Sequence, residues 1–122
     1  MLDFWATWCA PCMDEGPNVV HVYEQYHNRG FEVLGISLDD ADTVSQVAAV
    51  TRKQHMLWPQ ICPGKGWKAE IAQRYLVHSI PRAFLIDGDT GVILADTSAL
   101  RGDALQKTIE KILATKGAKH TH

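Results

Sequence analysis

A strand-like run that leads straight into two cysteines constrains this chain more than any other feature. Leu2–Trp5 is short, apolar and aromatic, which is typical of a buried strand. Cys9 and Cys12 follow it, and a helical pattern begins at the first of them. The free N–H groups and the positive dipole end of a helix stabilise a thiolate, whose pKa then falls to roughly 3.5–7.5. The two cysteines lie one turn apart, which predicts a dithiol that closes a small disulfide ring and exchanges electrons with a substrate.

Length, composition and charge exclude several classes of protein. The chain has 122 residues, 46% hydrophobic and 21% charged, which predicts one folded domain over residues 1–122. The formal net charge of −2 gives no basic surface for nucleic acid or acidic lipid. No apolar stretch approaches the length of a membrane span. A disulfide framework would usually need an even number of cysteines, larger than three. The three cysteines instead fit a redox pair with one spare thiol, Cys62.

The hydrophobic pattern predicts the order β-α-β-α-α-β-β-α. The first three elements form a parallel, right-handed βαβ unit, and a hairpin with a final helix follows it. Together they predict a mixed sheet between helices. After the first strand, the pattern predicts a helix at 9–28 and a strand at 31–38. Two helices follow: one that Thr43 and Gln46 cap and that ends near His55, and a short one marked by Trp67, Ile71 and Tyr75. The last predicted elements are strands at 83–86 and 92–95, a helix closed by Lys116 and Gly117, and a frayed tail at 117–122.

A set of motifs spread along the chain carries a family resemblance. The motifs are Phe4–Cys12, Glu15–Pro17, Gly35–Asp39, Trp58–Gln60, Ile80–Asp87 and Leu100–Gly102. In this order, over nearly the whole chain, the sequence resembles the thioredoxin superfamily and, within it, the TlpA/ResA-like thiol–disulfide oxidoreductases. The resemblance implies an α/β thioredoxin-like fold, with a central mixed sheet flanked by helices. It departs from the family in a shortened N-terminal strand and in Asp3, where many members carry asparagine.

The resemblance also implies a cellular setting and partners. Members are largely bacterial and extracytoplasmic, often tethered to a membrane, and usually reduce specific partner proteins, including in cytochrome c maturation. We therefore expect a periplasmic or other extracytoplasmic monomer that needs no cofactor. Its partners would be a protein disulfide substrate and a dithiol reductant protein. Because the first strand is short, we expect the chain to be cut from a longer precursor, with any membrane tether in the preceding segment.

Four residues are candidates for the chemistry itself. Cys9, at the helix start, is the predicted nucleophile and the more exposed sulfur, and Cys12 is the resolving thiol. Asp3 lies on the strand, where burial would raise the pKa of its carboxyl and let it accept the Cys12 proton, directly or through water. Glu15 lies on the same helix face as Cys12 and could do similar work, or it could be a solvated charge favourable to the dipole.

Five further residues are candidates for contact with a substrate. Trp8, Ala10 and Pro11 flank the cysteines, and Trp8 would shape the partner-binding surface unless it only packs. Ile80 and Pro81 enter through the resemblance, since the family holds such a bond in cis beside its disulfide. Without the family, the general rarity of cis X–Pro bonds would favour trans. Ala10–Pro11 and Ile80 are similar to the family's reductants, which favours a low potential.

Other functions for the cysteines stay open at this point. A peroxiredoxin-like peroxidase would need one cysteine in a pocket lined by hydroxyl groups and arginine. A metal or copper carrier would use Cys9, Cys12 and Cys62, although a structural zinc site wants four ligands and the six histidines show no metal spacing. A structural domain that has lost turnover would not need the intact pair. Cys62 itself is either a bystander or a regulatory thiol.

Overall fold

Five strands form one mixed sheet in the computed structural model, which describes residues 1–120. The strands are β1 (Leu2–Trp5), β2 (Leu34–Ser37), β3 (Gln60–Ile61), β4 (Arg82–Ile86) and β5 (Ile93–Asp96), and the α-helices are α1 (Ala10–Tyr26), α2 (Val47–Lys53), α3 (Glu70–Arg74) and α4 (Gly102–His120). The order across the sheet is β3-β2-β1-β4-β5, so β1 is central. β1 pairs in parallel with β2, and β2 with β3, whereas β4 runs antiparallel to β1 and β5. The predicted mixed sheet flanked by helices is confirmed.

Several predicted boundaries differ from the structure. β3 lies inside the segment that was predicted to be a loop, and it pairs with Gly35 and Ile36 of β2. β2 begins at Leu34 rather than at residue 31, and α4 continues to His120 rather than closing at Lys116 and Gly117. Residues 121–122 of the predicted frayed tail lie outside the described part of the chain.

The capping box predicted from Thr43 and Gln46 is wrong. A short 3-10 segment precedes α2, and the Thr43 side chain makes no capping hydrogen bond to it. The backbone N–H and the hydroxyl of Thr43 instead donate to Oδ1 of Asp40, at 3.3 and 3.4 Å. Asp40, an equally good turn residue three positions earlier, therefore organises this corner.

Interdigitated apolar side chains fill the space between the sheet and the helices. Phe4 and Trp5 of β1 and Ile36 of β2 are fully or almost fully buried. α1 buries the face that was predicted from its spacing, and α4 packs beside α1 with Leu105 buried. On the other face of β1, Phe4 packs on Tyr75, just after α3, with ring centroids 5.8 Å apart. The central strand that leads to the first cysteine is therefore covered on both faces, as its continuous apolar run predicts.

A hydrogen bond between side chains of β1 and β3 spans β2 and fixes this half of the sheet. The indole Nε1 of Trp5 donates to Oε1 of Gln60 at 2.8 Å. The Gln60 side chain crosses over Gly35, where an added Cβ would lie 2.1 Å from Gln60 Oε1. Gly35 is therefore required for this close approach, and the three residues lock β1, β2 and β3 in register.

α2 and α3 end with a non-glycine residue in the left-handed conformation. His55 has φ of 59° and Leu76 has φ of 54°. The N–H of Val77, just after Leu76, donates to the carbonyl of Ala72 at 2.9 Å, the closing bond of a Schellman motif. Leu76 is also 72% exposed. No helix within residues 1–120 combines the length and the apolar character that a membrane span requires.

Candidate active site

Cys9 and Cys12 are joined by a disulfide at the junction of β1 and α1. Their Cα atoms lie 5.3 Å apart. Cys9 is the N-cap of α1, with extended backbone angles, and its Sγ accepts the backbone N–H of Cys12 at 3.3 Å. Pro11 lies in the first turn, where its missing N–H costs no hydrogen bond. The first sulfur thus lies at the positive end of a 17-residue helix.

The two cysteines do not differ in exposure. As whole residues, Cys9 is 5% exposed and Cys12 is 6% exposed. That the Cys9 sulfur is the more accessible of the two stays a prediction. Exposure therefore does not select the nucleophile, and its position at the helix N-terminus remains the argument for Cys9.

A small cavity brings four of the predicted site residues together. Asp3, Cys12, Glu15 and Pro81 line it, together with Trp5, Gly16, Val19 and Met56. Its volume of about 20 Å3 is enough for one water molecule. Met56 was not singled out in the sequence, since nothing near it shows that the end of α2 folds back to this point.

The carboxyl of Asp3 titrates near neutrality in this setting. Burial, the largest cause, and the negative charge of Glu15 together raise its pKa to about 7, and the charge of the amino terminus acts in the opposite direction. Asp3 lies in the middle of the sheet, opposite Gly35 on one side and Ala83 on the other. A group of this pKa can both accept and release a proton at physiological pH.

Glu15 connects the cavity to the last helix. Its Oε1 accepts the backbone N–H of Gly102 at 2.8 Å and the Nδ2 of Asn18 at 2.7 Å. Asn18 in turn donates to the Gly102 carbonyl at 3.0 Å. The carboxylate is therefore hydrogen-bonded to the start of α4, and a catalytic role for it stays a prediction.

Of the predicted substrate-contact residues, Ala10 and Pro11 lie between the two cysteines in the chain, and Pro81 lines the cavity together with Cys12. Ala10 and Pro11 are exposed, and the Ile80–Pro81 peptide bond is cis. Trp8 is 49% exposed and packs against Trp67, which is 43% exposed, with ring centroids 6.2 Å apart. Trp67 was interpreted only as the mark of a short helix. An aromatic residue directly after a Pro-Gly-Lys-Gly run was the available signal.

Asp39 is the buried charged residue that the sequence did not reveal as part of the site. Its side chain is 0% exposed, and it accepts hydrogen bonds from the backbone and hydroxyl of Thr7. The available signal was a Ser-Leu-Asp-Asp run at the carboxyl end of the strand beside β1. Cys62 is a free, exposed thiol whose pKa is raised by partial burial and by the charge of Asp39. Within the described residues, no three histidine, cysteine, aspartate or glutamate side chains are grouped to hold a metal.

Comparison with known proteins agrees with this geometry. The model of the AhpC/TSA family matches residues 1–95. The chain belongs to the AhpC/TSA family. This AhpC/TSA-family chain is 32% identical over 112 residues to the thiol-disulfide oxidoreductase ResA of Bacillus thuringiensis subsp. konkukian (strain 97-27), a match that covers 92% of the chain and 60% of ResA. It thus spans about 60% of the length of the curated relatives that it matches first.

Two solved structures that resemble the AhpC/TSA-family chain are also thiol-disulfide oxidoreductases. A thiol-disulfide oxidoreductase from Bacteroides fragilis NCTC 9343 superposes with a TM-score of 0.79 at 30% identity, covering 91% of this chain and 78% of that one. The thioredoxin domain of a thiol-disulfide oxidoreductase from Bacteroides vulgatus gives 0.79 at 28% identity, covering 92% and 76%. The predicted resemblance to ResA-like proteins of the thioredoxin superfamily is confirmed. The Cys9–Cys12 pair fits the CXXC redox site of that class.

The peroxidase alternative gains no support from the site. It requires arginine and hydroxyl groups around a single reactive cysteine. The described residues that line the cavity at Cys12 include neither an arginine nor a serine or threonine. Cys9 and Cys12 are paired with each other in this chain, and the relatives compared above are named thiol-disulfide oxidoreductases.

Proposed function

We propose that this protein is a thiol–disulfide oxidoreductase that reduces disulfides of partner proteins through Cys9 and Cys12. The observation that supports this most directly is the disulfide at the start of α1, with Cys9 Sγ accepting the N–H of Cys12. The same N–H and the helix dipole would stabilise the Cys9 thiolate once the bond is reduced.

The reaction proceeds in two successive thiol–disulfide exchange steps. The Cys9 thiolate attacks one sulfur of the partner disulfide, forms a mixed disulfide, and expels the other partner sulfur as a thiolate, which takes up a proton. Cys12 then loses its proton and attacks Cys9 Sγ, which releases the second partner thiolate. The partner gains two electrons and two protons, and the domain is left as the Cys9–Cys12 disulfide. A second dithiol protein restores it by the same chemistry in reverse.

Asp3 is the proposed acceptor for the Cys12 proton. Both residues line the small cavity, which has room for one bridging water, and the Asp3 carboxyl has a pKa of about 7. Glu15 is the second carboxylate of the site and acts on Asp3 through its charge. Ile80 and Pro81, with Trp8, Ala10 and Pro11, would contact the partner chain.

The decisive experiment is a single turnover of the reduced protein with a disulfide-bonded reporter peptide. Cys12→Ser should accumulate the mixed disulfide at Cys9, seen as one peptide fragment added to the protein mass. Cys9→Ser should form no adduct and show no turnover, and Cys62→Ser is the matched control that keeps full turnover. Turnover that persists in Cys9→Ser, or that is lost in Cys62→Ser, would overturn the assignment.

The direction of electron flow is tested separately. Equilibration with glutathione buffers should give a potential well below that of the strong oxidants. A value near about −120 mV would instead make the domain an oxidant. We also propose an extracytoplasmic location and a monomeric state. Labelling of Cys62 in whole cells by a membrane-impermeant thiol reagent tests the first, and sedimentation tests the second.

A further inference from the structure

Asp39 is a buried charge placed directly behind the turn that delivers Cys9. Residues 6–9 form a tight turn, closed by a hydrogen bond of 3.2 Å from the Cys9 N–H to the Ala6 carbonyl. Asp39 binds the second residue of that turn, because the Thr7 N–H donates to Oδ2 at 3.1 Å and the Thr7 hydroxyl donates to Oδ1. The carboxylate therefore holds the turn from the neighbouring strand.

The charge of Asp39 is satisfied by hydrogen bonds rather than by a cation. The hydroxyl of Ser37 donates to Oδ2 at 2.6 Å, in addition to the two bonds from Thr7. Within residues 1–116, the ion pairs of the structure involve other carboxylates, and none includes Asp39. Burial alone would raise the pKa of Asp39, but hydrogen bonding from Ser37, Thr7 and the Thr43 hydroxyl outweighs it and holds the pKa below its ordinary value. The residue is therefore an anion at neutral pH.

The backbone of the same residue anchors the segment that carries Trp67. The Gly66 N–H donates to the Asp39 carbonyl at 3.2 Å, and Trp67 then packs on Trp8. One residue thus connects the Cys9 turn, through its side chain, with the neighbouring aromatic residue, through its carbonyl. A neutral, packed residue could hold the backbone in this way without the free-energy cost of a buried charge. The presence of the charge therefore points to a role beyond holding the backbone.

We propose that Asp39 is a positioning residue of the redox site, whose buried carboxylate holds the Cys9 turn and whose negative charge makes the dithiol a stronger reductant. This inference rests on the proposed function. An anion behind Cys9 disfavours the thiolate, which destabilises the reduced form. A dithiol protein whose reduced form is stabilised is a strong oxidant. Destabilising the reduced form has the opposite effect, so the Cys9–Cys12 dithiol gives up electrons more readily.

Other titratable groups near the pair set the background for this effect. Asp3 on β1 and Glu15 on α1 share the cavity with Cys12, and the Cys62 thiol lies within the field of Asp39. The test therefore compares variants that leave Asp3 and Glu15 unchanged. Cys62 is replaced by serine in every protein, so that Cys9 alone reacts once Cys12 is also replaced.

The test measures two quantities in the folded Asp39→Asn protein. Alkylation of Cys9 as a function of pH, in the Cys12→Ser background, should show its pKa lowered by about one unit. The equilibrium with glutathione, at a pH above the Cys9 pKa, should shift about tenfold toward the reduced domain, which corresponds to about 30 mV. Asp42→Asn removes the same charge from an exposed neighbour and should change the equilibrium less than about twofold.

Two further variants separate charge from geometry. Thr43→Lys replaces a hydroxyl that stabilises the carboxylate with a cation and keeps the bonds from Thr7 and Ser37, so it should shift the equilibrium in the same direction as Asp39→Asn. This variant keeps the proposal testable if Asp39→Asn does not fold. Thr7→Val keeps the charge and removes one donor, so it should not make the domain more oxidising.

The outcomes that would overturn the inference are specific. An unchanged Cys9 pKa and potential in Asp39→Asn, or no shift in Thr43→Lys, would leave Asp39 with only a structural role. A Thr7→Val protein as oxidising as Asp39→Asn would assign the effect to turn geometry. Each measurement concerns the dithiol alone, so these failures are distinct from a failure of partner reduction, which the reporter peptide measures.

Discussion

Asp3→Asn is the substitution that tests the electrostatics of the site most directly. It keeps the shape of the side chain and removes its charge. Burial and the neighbouring Glu15 raise the pKa of Asp3 from 3.8 to about 7. At about 1.4 kcal/mol for each pH unit, this rise corresponds to about 4 kcal/mol between the protonated and the ionised forms in the folded protein.

The sign follows from counting protons in the two states. Between about pH 4 and pH 7 the folded protein keeps a proton on Asp3 that the unfolded chain has lost. The stabilisation is therefore complete below the unfolded pKa and is lost as the pH rises through the folded pKa. The free energy of unfolding of the wild type should fall by up to about 4 kcal/mol across this window, while Asp3→Asn should lack this slope.

Urea unfolding of the oxidised proteins, at a series of pH values from about 4 to about 8, measures this difference. Asp103→Asn, on the first turn of α4, is the matched control, because Asp103 is exposed. Stability curves of wild type and Asp3→Asn that stay parallel across the window would refute the assigned pKa. A general base commonly contributes about 10²–10⁴ in rate, so the same substitution should slow release of the mixed disulfide by about a hundredfold.

Three further substitutions test the fold. Gly35→Ala should lose about 1–3 kcal/mol of unfolding free energy, because its Cβ would displace the side chain of Gln60, and an intact indole hydrogen bond in the variant would contradict this. Leu76→Gly should gain about 1 kcal/mol by relieving a left-handed conformation, whereas Leu57→Gly, at an equally exposed leucine without positive φ, should gain nothing in thermal unfolding. Lys116→Met should lose about 1 kcal/mol, because its ammonium pairs with two carboxylates of the β4–β5 turn, and added salt should shrink the difference from the wild type.

Local pattern was enough to predict the elements that position the cysteines. The apolar run of β1, the spacing of α1 and the hairpin near the end depend on neighbouring residues, so one sequence contains the information. β3 could not be predicted because its two residues, Gln60 and Ile61, are too few to show the alternating pattern of a strand. Thr43 was preferred to Asp40 as a cap because both have the right chemistry, and only the folded corner selects between them.

Long-range partners of polar groups could not be predicted in the same way. Thr7 and Asp39 are 32 residues apart, and Glu15 meets Gly102 across 87 residues. Each of these bonds depends on which strand or helix lies beside β1 or α1. For Asp3 the strand position predicted burial, and the elevated pKa follows from that alone. For Glu15 the sequence predicted the helix face but not the bond to α4.

The cavity beside Cys12 has a consequence for how hydrogen isotopes affect the proposed reaction. About 20 Å3 accommodates one solvent molecule, so the path from the thiol to Asp3 is single-file. Relay through that water moves two hydrogens, so the rate should curve downward with the deuterium fraction of the solvent, whereas direct transfer from the thiol to Asp3 moves one hydrogen and gives a straight line. The shape of this dependence, measured on the release of the mixed disulfide, therefore reports whether a water molecule stands between Cys12 and Asp3.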